Sequence, residues 1–129
     1  MTIRHVDQYL DSSVDWAILA GCFGNSTIEP SDIDGWIERG GVSLFIERKL
    51  PEGSLRHGQL IGHKSLAAQG NTVITFWAAN TPDGVQVQRM KINGSGHDGQ
   101  VHPATLADLR AAVDRWYWQA DSQRGKAPP

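Results

Sequence analysis

Apolar residues recur along the chain with two different periods, which predict helices and strands in turn. From residue 5 to 20 they return at every fourth position, the spacing of one helical face, and residues 106–120 show a similar helical spacing. Residues 72–78 form a run of β-branched and aromatic residues, and residues 85–92 alternate between apolar and polar positions with one slip in phase. These patterns predict a helix towards either end of the chain and two strands between them.

Glycine and proline set further boundaries. Gly40-Gly41 lies between two predicted strands, 32–38 and 42–49, and is typical of a two-residue hairpin turn because both turn positions favour positive φ. Pro51-Glu52-Gly53 ends the second strand, and Ser54 is a suitable N-cap for a helix that runs to about Gln69.

The predicted order of elements is α-β-β-α-β-β-α, with a loop over residues 93–103. This order indicates an α/β fold class, in which helices flank a central mixed sheet that contains a β-hairpin. The chain has 129 residues, of which 40% are apolar, and this suits a single domain with one core. We expect that domain to cover residues 1–121 and the polar residues 122–129 to form a flexible tail.

Composition and charge exclude several classes of protein. Cys22 is the one cysteine, so an internal disulfide and a zinc site of several cysteines are excluded. The first ten residues lack the apolar stretch of a signal peptide, and no apolar run approaches about 20 residues, so we expect a cytoplasmic protein with no membrane segment. Residues 1–38 contain one basic and seven acidic residues, whereas residues 39–129 contain eleven basic and seven acidic ones. A phosphate-bearing partner would therefore bind the later part of the chain, and ordinary surface charge is the alternative.

The hairpin carries the candidate chemistry. A two-residue turn fixes the register of its strands and places Asp34 opposite Glu47 and Asp32 opposite Lys49. Directly opposed carboxylates repel, and a chain tolerates them when a cation lies between them. Two carboxylates with water and a substrate phosphate are usual ligands of Mg²⁺, and Lys49 adds positive charge on the same face, which suits attack of water on a phosphodiester. The alternative is a solvated sheet face on which Lys49 is the salt-bridge partner of the carboxylates.

The residues of this hairpin resemble the PD-(D/E)XK nuclease superfamily. The resemblance lies in Pro30-Ser31-Asp32-Ile33-Asp34-Gly35, followed by Glu47-Arg48-Lys49, and in the element order of residues 5–78. It implies a restriction-endonuclease-like core in which the hairpin is catalytic. It also implies that Asp34 and Glu47 bind Mg²⁺ or Mn²⁺, that the Arg48 carbonyl adds a ligand, and that Lys49 orients or activates the water. Asp32 is a further candidate, and the sequence leaves open whether Glu29 or an acidic residue of the first helix joins the site.

The helix predicted after the hairpin adds further candidates. Gln59 and His63 are four residues apart and share a helical face. Some branches of the superfamily, such as RecB-like nucleases, carry a Gln followed four residues later by a Tyr here, so the resemblance makes Gln59 a catalytic residue, while His63 stands in place of the Tyr. Basic and histidine residues around the site are candidates for contact with a nucleic-acid backbone, and a solvated surface is the alternative. They are Arg48, Arg56, His57, His63 and Lys64.

These observations predict a metal-dependent nuclease that hydrolyses phosphodiester bonds, with DNA as the expected substrate. We expect a chain this short to have no separate recognition domain, and therefore to select DNA structure rather than sequence, as a repair, recombination or phage-type endonuclease. A homodimer like that of Holliday-junction resolvases is one candidate assembly. The alternative is a non-catalytic module that binds nucleic acid or another protein and retains the nuclease fold.

Overall fold

The computed structural model of the protein describes residues 14–123. The chain divides into two units, one that extends to Asp32 and one that begins at Ile33. Most of the predicted first helix, residues 5–13, and the end of the predicted tail, residues 124–129, lie outside the described residues.

The described part of the first unit has one short helical turn. A 3₁₀ helix spans Trp16–Leu19, and the Asp15 carboxylate caps it by accepting a 3.0 Å hydrogen bond from the Ala17 amide. The prediction of an α-helix up to residue 20 is wrong over this stretch. The physical reason is that the apolar stripe is not buried here: Ile18 is 74% exposed, so little burial offsets the entropy of ordering further turns.

The second unit is an α/β unit with a five-stranded mixed sheet and two helices among its described residues. The elements, in chain order, are β1 (Gly35–Arg39), β2 (Val42–Lys49), α1 (His57–Ala68), β3 (Thr72–Thr81), β4 (Gly84–Asn93), β5 (Val101–Pro103) and α2 (Leu106–Gln123). The strands lie in the sheet in chain order. β2 and β3 are parallel, with α1 in the connection between them, and the other neighbouring strands are antiparallel. The predicted α/β class with a mixed sheet is confirmed.

The hairpin of β1 and β2 has the predicted register. Gly40 and Gly41 form the turn with φ of 65° and 88°, which is the left-handed region that glycine adopts without strain. Arg39 pairs with Val42, and the ladder continues to the pair of Gly35 with Ile46. The predicted bounds of β2 are confirmed, whereas β1 begins three residues later than the sequence predicts.

Other boundaries also differ from the prediction, and β3 extends to Thr81, three residues beyond its predicted end. α1 begins at His57 with Arg56 as its N-cap residue, so Ser54 does not cap it. The predicted loop over residues 93–103 ends in β5, whose backbone pairs with β4 although its three residues are exposed. α2 continues to Gln123, so the first two residues of the predicted tail are helical.

The two faces of the sheet have different chemistry. One face packs on α2 through a cluster of apolar residues, each contributing on the order of 1.5–3 kcal/mol of burial when it is a large aliphatic side chain. The cluster consists of Leu44, Ile74, Ile92, Ala112, Trp116 and Ala120. Because side chains alternate along a strand, Glu47, Thr75 and Lys91 point to the opposite face, where α1 lies. The apolar face stabilises the unit, and the polar face holds the candidate site.

No helix within residues 14–123 combines the length and the apolar character that crossing a membrane requires.

Candidate active site

Glu47 and Lys49 lie side by side on the α1 face of β2. They are two residues apart on one strand, so their side chains point the same way. The Lys49 Nζ lies 3.7 Å from Glu47 Oε1, and the two side chains are 18% and 17% exposed. The site is therefore sheltered from bulk water yet open enough to admit a small group.

Gln59 joins these two side chains. Its amide nitrogen Nε2 donates to Glu47 Oε1 over 3.1 Å, and its oxygen Oε1 accepts from Lys49 Nζ over 3.2 Å. The same oxygen accepts a 3.0 Å hydrogen bond from the Arg56 amide at the start of α1. Because that amide has no partner within the helix, Gln59 both stabilises the helix N-terminus and orients the site.

His63 lies one helical turn further along and contacts the other oxygen of Glu47. Its Nε2 lies 3.7 Å from Glu47 Oε2, and the residue is 7% exposed. The His63 imidazole is the largest cause of a pKa of Glu47 below its usual value; burial opposes it, and the charge of Lys49 lowers the pKa further. Glu47 is therefore a carboxylate at neutral pH, which is the form that binds a cation.

The loop between β2 and α1 is anchored to the same face of the sheet. Trp77 donates from Nε1 to the Gly53 carbonyl over 2.7 Å, and Arg89 donates to the Pro51 carbonyl over 2.9 Å. The Arg89 guanidinium also lies over the Trp77 ring, 4.7 Å from its centre. Since Lys49, Trp77 and Arg89 form one rung across three strands, the sheet fixes the point at which α1 begins.

The ladder of the hairpin ends at the pair of Gly35 with Ile46, one residue short of Asp34, so Asp34 does not form the predicted pair with Glu47. It directly precedes β1, and its Oδ2 accepts a 2.8 Å hydrogen bond from the Arg48 amide. The carboxylate is exposed and is held beside the residue that follows Glu47. Of the four predicted catalytic residues, the structure thus brings Glu47, Lys49 and Gln59 into contact and holds Asp34 at the backbone amide of the neighbouring Arg48.

The predicted place of Asp32 is wrong. The ladder of the hairpin ends at Gly35, so Asp32 does not form a rung with Lys49. Asp32 belongs to the first unit, where its Oδ1 accepts a 3.0 Å hydrogen bond from Trp16 Nε1. The sequence pattern predicts a strand that includes Asp32, whereas β1 begins only at Gly35.

Two of the five candidates for nucleic-acid contact do not present their side chains at the surface. His63 is buried against Glu47. The guanidinium of Arg48 points to the opposite face and donates to the Ala78 carbonyl from Nε over 3.1 Å and from Nη2 over 2.9 Å. Arg56, His57 and Lys64 are exposed at the start and middle of α1, and their role stays a prediction, as does the Arg48 carbonyl as a ligand.

Sequence reasoning missed the polar residues that extend the site across the sheet. Thr75 is the ladder partner of Glu47, and Lys91 is the ladder partner of Thr75. The signal was present, because Thr75 interrupts the apolar run of a mostly buried strand and Lys91 lies between the apolar residues Met90 and Ile92. It could not be used without the pairing of β2 with β3, which joins residues far apart in the chain.

The donor set suits a hard divalent cation. Within residues 14–123 no group of three or more His, Cys, Asp or Glu side chains is placed to hold a metal ion. The two carboxylates Asp34 and Glu47 match the one or two that Mg²⁺ takes from a protein when water and substrate phosphate complete its coordination. The second oxygen of Asp34, Oδ1, makes no hydrogen bond with residues 14–123, and so stays open to a ligand.

No protein-family model matches the sequence, and neither a curated protein nor a solved structure shows significant similarity to the chain.

Proposed function

We propose that the protein is a metal-dependent nuclease of the PD-(D/E)XK type that hydrolyses phosphodiester bonds in DNA. The observation that supports this most strongly is the cluster of Glu47, Lys49 and Gln59, in which one amide side chain orients both a carboxylate and an ammonium. Asp34, held at the neighbouring backbone amide, adds the second carboxylate.

Asp34 and Glu47 are the residues that would hold Mg²⁺ or Mn²⁺, with the Arg48 carbonyl as a further ligand. When bound, such an ion supplies Lewis-acid stabilisation of the charge that develops on the phosphoryl oxygens. The low pKa of Glu47 keeps its carboxylate ionised and available for this role.

Lys49 positions the attacking water and the phosphate. Its ammonium has three N–H donors, and Gln59 accepts one of them, so others remain for water and a phosphoryl oxygen. Hydrolysis joins the water oxygen to phosphorus and breaks one ester P–O bond, and a water proton ends on the leaving oxygen. A group placed to assist proton transfer contributes about 10²–10⁴-fold to the rate.

The exposed residues of α1 supply a surface for the nucleic-acid backbone. Arg56, His57 and Lys64 lie on the helix that also carries Gln59. Because phosphate contacts position a strand without reading its sequence, they favour selection by DNA structure. A homodimer and a cytoplasmic location belong to the same proposal.

A cleavage assay on labelled single-stranded, duplex, flap and four-way-junction DNA tests the proposal. We expect cutting in Mg²⁺ or Mn²⁺, none in EDTA, and none with Glu47→Gln, which keeps the shape of the residue but not its charge. Undiminished cutting in EDTA would contradict the metal requirement. Binding of DNA without any cutting would favour the non-catalytic module instead.

A further inference from the structure

Lys91 is a cationic residue that lies on the same rung of the sheet as Glu47. Glu47 pairs with Thr75 across β2 and β3, and Thr75 pairs with Lys91 across β3 and β4. Paired residues point to the same face, so Glu47 and Lys91 share the α1 side of the sheet, about 10 Å apart at two strand spacings.

Within residues 14–123, Lys91 has no partner of opposite charge. It is 7% exposed, and its ammonium makes no hydrogen bond or ion pair with any residue of 14–123. The nearby charge is that of Lys64, which has the same sign. Both burial and Lys64 lower the pKa of Lys91, in that order. Holding a largely buried lysine beside another cation costs stability, and no contact within residues 14–123 offsets this cost.

The face of the sheet that carries Lys91 is polar. A lysine with a purely structural role would need only apolar neighbours along its stem. The hydroxyl of Thr75 and the Nδ1 of His63 are buried and have no hydrogen-bond partner within the described residues. Thr75 lies between Glu47 and Lys91 on this face, and His63 adjoins it through the contact of its Nε2 with Glu47. By contrast, the Lys91 ammonium is not fully enclosed, and its tip reaches solvent. A cationic tip therefore opens to the surface beside the exposed Lys64.

We infer that Lys91 and Lys64 form a second anion subsite, which binds a backbone phosphate of the nucleic acid other than the phosphate that is cut. An anion between two ammonium groups removes their repulsion and supplies the partner that Lys91 lacks. The inference rests on the proposed function, because it takes the bound molecule to be a nucleic-acid strand that also reaches Glu47.

Binding of DNA as a function of salt tests this subsite. Fluorescence anisotropy in EDTA, where the proposed reaction does not run, gives the affinity of each variant for the labelled DNA form that the wild type binds best. Lys91→Met keeps the apolar stem and removes the charge. We expect weaker binding and a slope of log affinity against log salt that is smaller in magnitude by about 1, the effect of one lost phosphate contact. Lys64→Met should change the slope in the same direction, and Lys91→Arg should keep it.

Arg110→Met is the matched control, since Arg110 is exposed on α2 at the other face of the sheet. It should leave the slope unchanged, and a melting curve of each variant shows that it folds. If Lys91→Met keeps the wild-type slope while the wild type cuts DNA, the subsite is wrong and the nuclease stands. If Lys91→Met loses affinity for inorganic phosphate but not for DNA, the ligand is a free phosphate and the inference is wrong. A wild type that neither binds nor cuts DNA overturns both proposals.

Discussion

Gln59 shows how one residue can tie a fold to a site. Its side chain makes hydrogen bonds to Glu47, to Lys49 and to the Arg56 amide. Gln59→Leu keeps the volume and removes all three bonds, each of which contributes on the order of 1 kcal/mol. We expect chemical denaturation to show a stability loss of about 1–3 kcal/mol, and DNA cleavage to fall because Glu47 and Lys49 lose their common partner.

Gln69→Leu is the control for this variant. Gln69 lies just after α1, and its side chain makes one long hydrogen bond, 3.4 Å, to Ser65. It should change neither stability nor cleavage by a comparable amount. Equal effects of the two substitutions would assign Gln59 to the helix alone.

Lys91 should cost the folded protein stability near neutral pH. Below its folded-state pKa the residue is protonated in both states, so the cost of burying its charge is present in full. Between that lowered pKa and the ordinary value of about 10.4, only the unfolded chain holds the proton, and wild-type stability rises with pH. Lys91→Met should therefore be more stable than wild type near pH 7, with a difference that narrows towards about pH 10. Urea titrations near pH 7 and about pH 10 measure this difference in stability. A Lys91→Met variant less stable than wild type at pH 7 would contradict the prediction.

At the scale of elements, the hairpin determines which aspartate joins the site. Asp34 is held at the Arg48 amide beside Glu47, whereas Asp32 precedes the ladder and accepts a hydrogen bond from Trp16. Asp34→Asn retains an oxygen that accepts the Arg48 bond but loses its charge. We expect calorimetry to show that Asp34→Asn no longer binds Mn²⁺ and that Asp32→Asn binds it like wild type. The reverse result would transfer the ligand role to Asp32.

Local signals account for the elements that the sequence predicts well. The turn at Gly40 and Gly41 has one favoured geometry, so it fixes the register of the hairpin and hence the common face of Glu47 and Lys49. The start of α1 was harder to predict from the sequence, because Gln59, from within the helix, caps its terminus and Ser54 does not. β5 was missed because its pairing with β4, not its exposed side chains, makes it a strand.

Long-range pairing accounts for what the sequence could not predict about the site. Asp34, Glu47, Lys49 and Gln59 are close in the chain, and a hairpin with its following helix brings them together. Lys91 joins the same face through two strand pairings that periodicity does not specify.

In the second unit as a whole, one face of the sheet supplies stability and the opposite face carries the candidate site. The face under α2 is apolar and well packed, with Leu44, Ile74 and Trp116 in its core. The face under α1 carries charged groups and polar groups that have no partner within residues 14–123; such groups cost stability and are typical of functional sites. The apolar face therefore lets variants of the polar face be made without loss of the fold.

The single-turnover rate of DNA cleavage by Lys49→Met, at saturating Mn²⁺, separates a nuclease from a protein in which Lys49 only forms an ion pair. Lys49 is the residue whose role differs most between a nuclease and a structural ion pair, since only a nuclease needs its ammonium at the reacting phosphate. We expect a folded variant that binds Mn²⁺ and cuts about 10²–10⁴-fold more slowly than wild type. A variant that cuts within about threefold of wild type, far below that range, would contradict this expectation and reduce Lys49 to a salt-bridge partner of Glu47.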